Sequence, residues 1–206
     1  MSDTSRFLIP ARAHRVEETI QRSRFITNVA HAPDADAAQA FVQAVRDEFP
    51  DATHNCWAFV AGPPGSTTRI GMSDDGEPHG TAGRPMLTTL LHAKVGEVVA
   101  VCTRYYGGVK LGTGGLGRAY AGGTKLALES LSTQEKVVRV RVEITISYAD
   151  VDAIQRLMST ADIVVEAEEY GLEVLYTCGV PDTDLDRFRV AVADLTRGTA
   201  IVQDEP

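Results

Sequence analysis

Three observations predict that this 206-residue chain is an α+β protein of two consecutive domains. Helical and strand-like hydrophobic patterns mix through the first two thirds. The pattern stops and starts again near Leu131–Val137. From there the order reads βαββαβ, the split-βαβ or ferredoxin-like plan. The expected domains are therefore residues 1–132 and 137–206.

Arg15–Ala30 holds two extended stretches around Gln21–Arg24, a hairpin pattern. Asp34–Phe49 reads as a helix with an Asp cap. Ala37, Phe41, Val45 and Phe49 recur there every four residues, and Pro50 follows the end. His54–Ala61 and Thr68–Met72 are strands joined across Gly62–Ser66, where Pro-Pro-Gly marks a loop. Gly83–Lys94 is a helix with Pro85 in its first turn. The β-branched run of Glu97–Tyr105 predicts a buried strand, and Leu116–Leu131 returns to helix inside a glycine cluster.

In the second domain Arg139–Ser147 alternates strictly, with Val140, Val142, Ile144 and Ile146 on one face. A helix from about Asp150 turns Val151, Ile154 and Leu157/Met158 inward. Strands at Ile163–Glu168 and Leu172–Val180 meet at Gly171. Leu185, Phe188, Val192 and Leu195 mark a helix stopped by Gly198, and Thr199–Gln203 is the last strand.

No apolar run approaches the roughly 20 residues that span a bilayer. The N-terminal stretch lacks the basic-then-apolar order of a signal peptide. Cys56, Cys102 and Cys178 are odd in number and far apart, which argues against a disulfide framework or zinc cage. The expected location is cytoplasmic, with no membrane partner.

Charge is divided unevenly. Residues 1–132 hold 13 Lys/Arg and 13 Asp/Glu, whereas 133–206 hold 7 and 15 and so supply the whole net charge of −8. Between residues 78 and 128, Arg84, Lys94, Arg104, Lys110, Arg118 and Lys125 face a single acid, Glu97. A cationic region of this kind suits an anionic ligand or nucleic acid; it is equally what a solvated basic face looks like.

Two dense blocks stand out, SDDGEPHGTAGRP (Ser73–Pro85) and RYYGGVKLGTGGLGRAYAGG (Arg104–Gly123). Eight of the 18 glycines lie between Gly107 and Gly123. Each costs roughly 0.5–1 kcal/mol relative to Ala in regular structure, so a local concentration implies a local use. One use is an anion cradle. Here amides at a helix start, with Lys110 and Arg118, receive a phosphate or nucleic-acid backbone. The other is close strand–helix packing. The spacing matches neither known nucleotide fingerprint.

In the first block, Asp74, Asp75, Glu77 and His79 lie within six residues. The oxygens are too few and too irregular for a calcium loop, and no metal site or cofactor is expected. An acidic clasp on the basic block is one reading. Turn chemistry is another, with the Thr81 hydroxyl capping the helix that follows. Cys56 beside Trp57 and Phe59 reads as core filler rather than a nucleophile paired with His54. Tyr105, Tyr106 and Tyr120 are candidates to stack on bases, or to pack at a rim.

SDDGEPHGTAGRPML and RYYGGVKLGTGGLGRAY resemble the signature of the YigZ/IMPACT family, as do Ser23–Ile26, Ala52–Val60 and Asp194–Ala200. The likeness covers nearly the whole chain and is greatest to the bacterial two-domain branch. His79 departs from it, at a position that is often small in the family. The resemblance implies a first domain with the ribosomal protein S5 domain 2-like fold. It also implies a second domain similar to the ferredoxin-like C-terminal domain of elongation factor G. That factor carries the two folds in tandem, which suggests an RNA or ribosome surface by analogy. Eukaryotic relatives regulate translation with additional domains absent from this sequence, so their partner is not carried over.

The functional expectation is a non-enzymatic, translation-associated regulator that binds RNA, the ribosome or another anionic partner. Its expected contact set is Arg104, Tyr105, Gly107, Gly108, Lys110, Gly112, Gly114, Gly115, Arg118 and Tyr120, with Asp74, Asp75, Glu77 and Thr81 at the edge. One alternative is an enzyme acting on a small phosphorylated or peptide substrate, for which Gly115–Gly123 faintly resembles a kinase phosphate loop. The other is a protein-interaction module whose acidic second domain docks a basic partner.

Overall fold

The computed structural model describes residues 5–204. Phe7–Lys136 forms one compact unit, and residues 137–204 with Ser5 and Arg6 form the other. Helices and antiparallel sheets share both units, an α+β protein.

In the first unit, apart from the end residues Arg6 and Val137 of its outermost strands, β1 (Arg6–Pro10) is followed by β2 (His14–Ile20), β3 (Ser23–His31), α1 (Ala35–Glu48), β4 (His54–Val60) and β5 (Ile70–Ser73). Next come α2 (Gly83–Leu91), β6 (Val98–Tyr105), α3 (Gly112–Glu129) and β7 (Thr133–Val137). Five strands make an antiparallel sheet in the order β2-β3-β6-β4-β5. β1 pairs with β7 in a separate ribbon. Neither β1 nor β7 carries a clear alternating pattern, and the sequence predicts no strand at either place.

The strand period of two sorts the side chains onto two faces. Phe25, Val29, Cys56, Ala58, Val60, Val98, Ala100 and Cys102 face α2 and α3. Ala30, Phe59, Ala61, Val99 and Val101 face α1. Covering both faces explains why β6 is apolar without alternation. Asp34 caps α1 as expected, its carboxylate accepting from the Ala37 amide at 2.8 Å.

Two turn residues defy propensity. Gln21 and Arg22 close the β2–β3 hairpin at φ +46° and +66°, positions where Asn and Gly are usual. Their tip packs against the loop after β6, as described below.

The helix in the second block starts at Gly112, earlier than the sequence suggests, and contains six glycines. Ordinary propensity opposes such a helix, at roughly 1 kcal/mol per glycine relative to Ala. Tertiary packing holds it instead, through buried Leu116, Ala119, Tyr120, Thr124 and Ala127. A Cβ on Gly123 would sit 2.6 Å from Thr27 Oγ1, so its absence lets α3 lie close on the sheet.

The second unit contains β8 (Arg139–Ile146), α4 (Val151–Thr160), β9 (Val164–Tyr170), β10 (Val174–Pro181), α5 (Leu185–Thr196) and β11 (Ile201–Asp204). Sheet order β11-β8-β10-β9 is the ferredoxin-like arrangement. Val142, Ile144, Ile146, Val174, Tyr176, Cys178 and Val180 pack against Ile154, Met158, Phe188 and Val192 of the helices. Leu195, expected inward, is exposed, and Thr196 takes the buried position.

Candidate nucleic-acid interface

The two blocks meet at the end of β6, on the face covered by α2 and α3, around Arg104. This arginine is 5% exposed. Its Nη1 donates to Glu77 Oε1 at 2.6 Å and Nη2 to Ser23 Oγ at 3.3 Å. Its guanidinium carbon lies 5.4 Å from the ring centroids of both Phe25 and Tyr106. Tyr120, fully buried, donates to the same Glu77 oxygen at 2.7 Å and meets Phe25 edge-on. Glu77 is thus a clasp on the basic block, but an internal one. Arg104, Tyr120, Glu77 and Thr81 are all buried, so they underlie the expected contact surface rather than form it.

The remaining acids of the first block serve the backbone. Asp74 Oδ1 accepts from the amides of Ala82 and Gly83, and Oδ2 from Gly80. Burial raises the Asp74 pKa, but these three amide bonds outweigh it and hold the carboxyl below its usual range. Asp75 joins Arg46 of α1 at 2.6 Å and the Asn55 amide of β4 at 2.6 Å. Thr81, the expected cap, donates instead to the Pro78 carbonyl. The start of α2 therefore already holds an anion of its own.

Asp74 and Asp75 also offer main-chain oxygens. His54 Nδ1 donates to the Asp75 carbonyl at 2.8 Å, and Cys56 Sγ to that of Asp74 at 2.9 Å. Cys56 and Cys102 are buried partners on adjacent strands, and burial pushes the Cys102 thiol up to about 12. These are core cysteines.

The start of α3 differs from that of α2. Leu111 precedes it and no side chain caps it. Gly108, Val109, Lys110, Gly112, Thr113 and Gly114 are exposed. The guanidinium of Arg118 folds back over the first turn, where a Cβ on Gly114 would lie 3.5 Å from Nη1. Gly117 packs on Pro85, where a Cβ would lie 3.7 Å from the ring, and this joins α3 to the first turn of α2. Arg84 and Arg118 each lie one residue from that contact. Gly115–Gly123 is helix interior, which removes the likeness to a kinase phosphate loop. Gly122 faces open space and no contact explains it.

Three residues outside the expected set belong here. Gly107 donates to Ser23 Oγ at 3.2 Å, and a Cβ on it would fall 1.9 Å from the Arg22 carbonyl oxygen. That close approach brings exposed Arg22 to the loop. Arg84 and Tyr106 are likewise exposed. Arg22 had no local signal, because Ser23 and Gly107 are 84 residues apart in the chain. Tyr105 is less available, its hydroxyl donating to Asp51 at 2.8 Å. Among the described residues, Arg22, Arg84, Lys110 and Arg118 form no ion pair.

These two α+β units have recognisable counterparts. The Impact N-terminal domain family matches residues 21–128, and a domain of unknown function, DUF1949, matches residues 144–199. The chain belongs to the IMPACT family. It is 45% identical to IMPACT family member YigZ of Escherichia coli over 94% of this chain and 95% of that one. An IMPACT family member of Haemophilus influenzae is 36% identical, over 96% of each chain. YvyE of Bacillus subtilis is 31% identical over 91% of this chain and 86% of its own. A crystal structure of a hypothetical protein, 42% identical, superposes with a TM-score of 0.73 over 98% of both chains. No helix among the described residues is long and apolar enough to cross a membrane.

Proposed function

We propose that this protein is a non-enzymatic, cytoplasmic regulator associated with translation, binding RNA or the ribosome through the Gly107–Arg118 surface. One observation carries the reading: the start of α3 has no capping side chain, and Arg118 lies against it. A helix start already bears about half a positive charge. A chain selected only for folding would place an acid there, as it does with Asp74 at α2. Accumulated positive charge beside exposed glycines suits phosphate oxygens. Family membership supports the link with translation.

The test is co-sedimentation with ribosomal fractions, and anisotropy with labelled RNA, across a salt series. Affinity should fall steeply with salt. Lys110→Gln with Arg118→Gln should flatten the log–log slope by roughly 0.7–0.9 for each phosphate no longer neutralised. Binding that is absent or indifferent to salt sinks the reading.

A further inference from the structure

We infer that the RNA bound at this surface is single-stranded, and that Tyr106 is the platform on which an unpaired base stacks. This inference rests on the RNA reading above and adds to it the form of the ligand.

Of the three tyrosines at the site, Tyr106 alone offers a ring. Tyr120 is fully buried, and Tyr105 is half-buried with its hydroxyl on Asp51 and the Arg24 guanidinium 5.8 Å from its ring centroid. Tyr106 is 45% exposed, and its backbone is fixed before any ligand arrives. Its amide donates to Thr53 Oγ1 at 3.0 Å, and the next amide, that of Gly107, is held by Ser23. Close by lies a cation that cannot leave. The Arg104 guanidinium lies 5.4 Å from the Tyr106 centroid and the same distance from Phe25, pinned by Glu77. Little ordering entropy remains to be lost when a second planar group lands on the ring.

Exposed Arg22 sits on the hairpin tip that touches Gly107, the residue after Tyr106, and exposed Lys110 follows four residues along the same loop; both are free of ion pairs among the described residues. An aromatic face beside unpaired cations is the arrangement that binds single strands, base on ring and phosphate on cation. A duplex withholds its base faces inside its own stack, so the ring has nothing to meet there. Stacking on a ring accepts any base, since every base has a π-face. Sequence preference should accordingly be weak.

The experiment uses the full chain with labelled oligouridylate, labelled oligoadenylate and a blunt RNA duplex of equal length, compared at one low salt concentration and then across a salt series. Both single strands should bind more tightly than the duplex. Tyr106→Ala should weaken single-strand binding roughly 5- to 150-fold, leave duplex binding unchanged and leave the salt slope unchanged. Tyr106→Phe and Tyr106→Trp should retain binding. Tyr106→Leu, which keeps bulk but not aromaticity, should fail as Ala does. Equal affinity for strand and duplex, or indifference to Tyr106→Ala, overturns the stacking inference while leaving salt-dependent RNA binding intact. No binding to any of the three RNAs overturns both.

Discussion

Replacing Glu77 with Gln tests what holds the two blocks together. The substitution keeps shape and an acceptor oxygen for Tyr120 but removes the charge opposite Arg104. At the observed 2.6 Å, Coulomb's law with an effective dielectric of about 20 gives an attraction of roughly 6 kcal/mol. Desolvation of the two ions offsets much of that in the wild type. A buried arginine left without its partner has no such compensation, and loss of one member costs about 3–5 kcal/mol. Both side chains are almost sealed, at 6% and 3% exposure, so solvent screening relieves little of it. At about 4 °C per kcal/mol for a unit of this size, the melting midpoint should fall by roughly 12–20 °C. Thermal denaturation followed by circular dichroism measures this directly. Arg104→Met alone should also destabilise, whereas Glu77→Gln combined with Arg104→Met should recover part of the loss, giving a coupling of about 2 kcal/mol. A fall below about 2 °C for Glu77→Gln, or full additivity in the double variant, would show that the pair is not the clasp described.

Asp74→Asn tests the occupied helix start. It keeps one acceptor but weakens three amide bonds and the helix-charge interaction, a loss of about 1–2 kcal/mol near pH 7. Because the folded carboxyl titrates below its unfolded value, the Asp74 contribution is present above about pH 4 and vanishes as pH falls through the folded pKa. Wild type and Asp74→Asn should therefore converge in stability on acidification; a gap that stays constant down to about pH 2 would refute the assignment. Gly107→Ala forces a methyl onto the Arg22 carbonyl, at 1.9 Å, and should cost at least about 1–3 kcal/mol. Gly108→Ala, at φ +84° in open space, meets no neighbour and should cost only the left-handed backbone strain, about 1 kcal/mol. Equal urea midpoints for the two would contradict the packing of the hairpin tip on the loop.

Local chemistry was readable wherever cause and effect lie close in the chain. The Asp34 cap, the apolar run of β6, the alternation of β8 and the Gly198 stop all act within a few residues, and the structure shows each in place. The weight of the two blocks was legible too, since glycine and charge in that density carry a cost. Their division of labour was not. Whether Asp74 caps a helix or edges a surface depends on a loop folding back on itself. Whether Arg104 meets solvent or Glu77 depends on two segments 27 residues apart. The hairpin tip carrying Arg22 is placed by a contact that no local pattern announces. Composition and periodicity settled the class of fold and the region of interest. Only the tertiary structure separated buried framework from open surface, because burial is decided by which distant segments exclude water together.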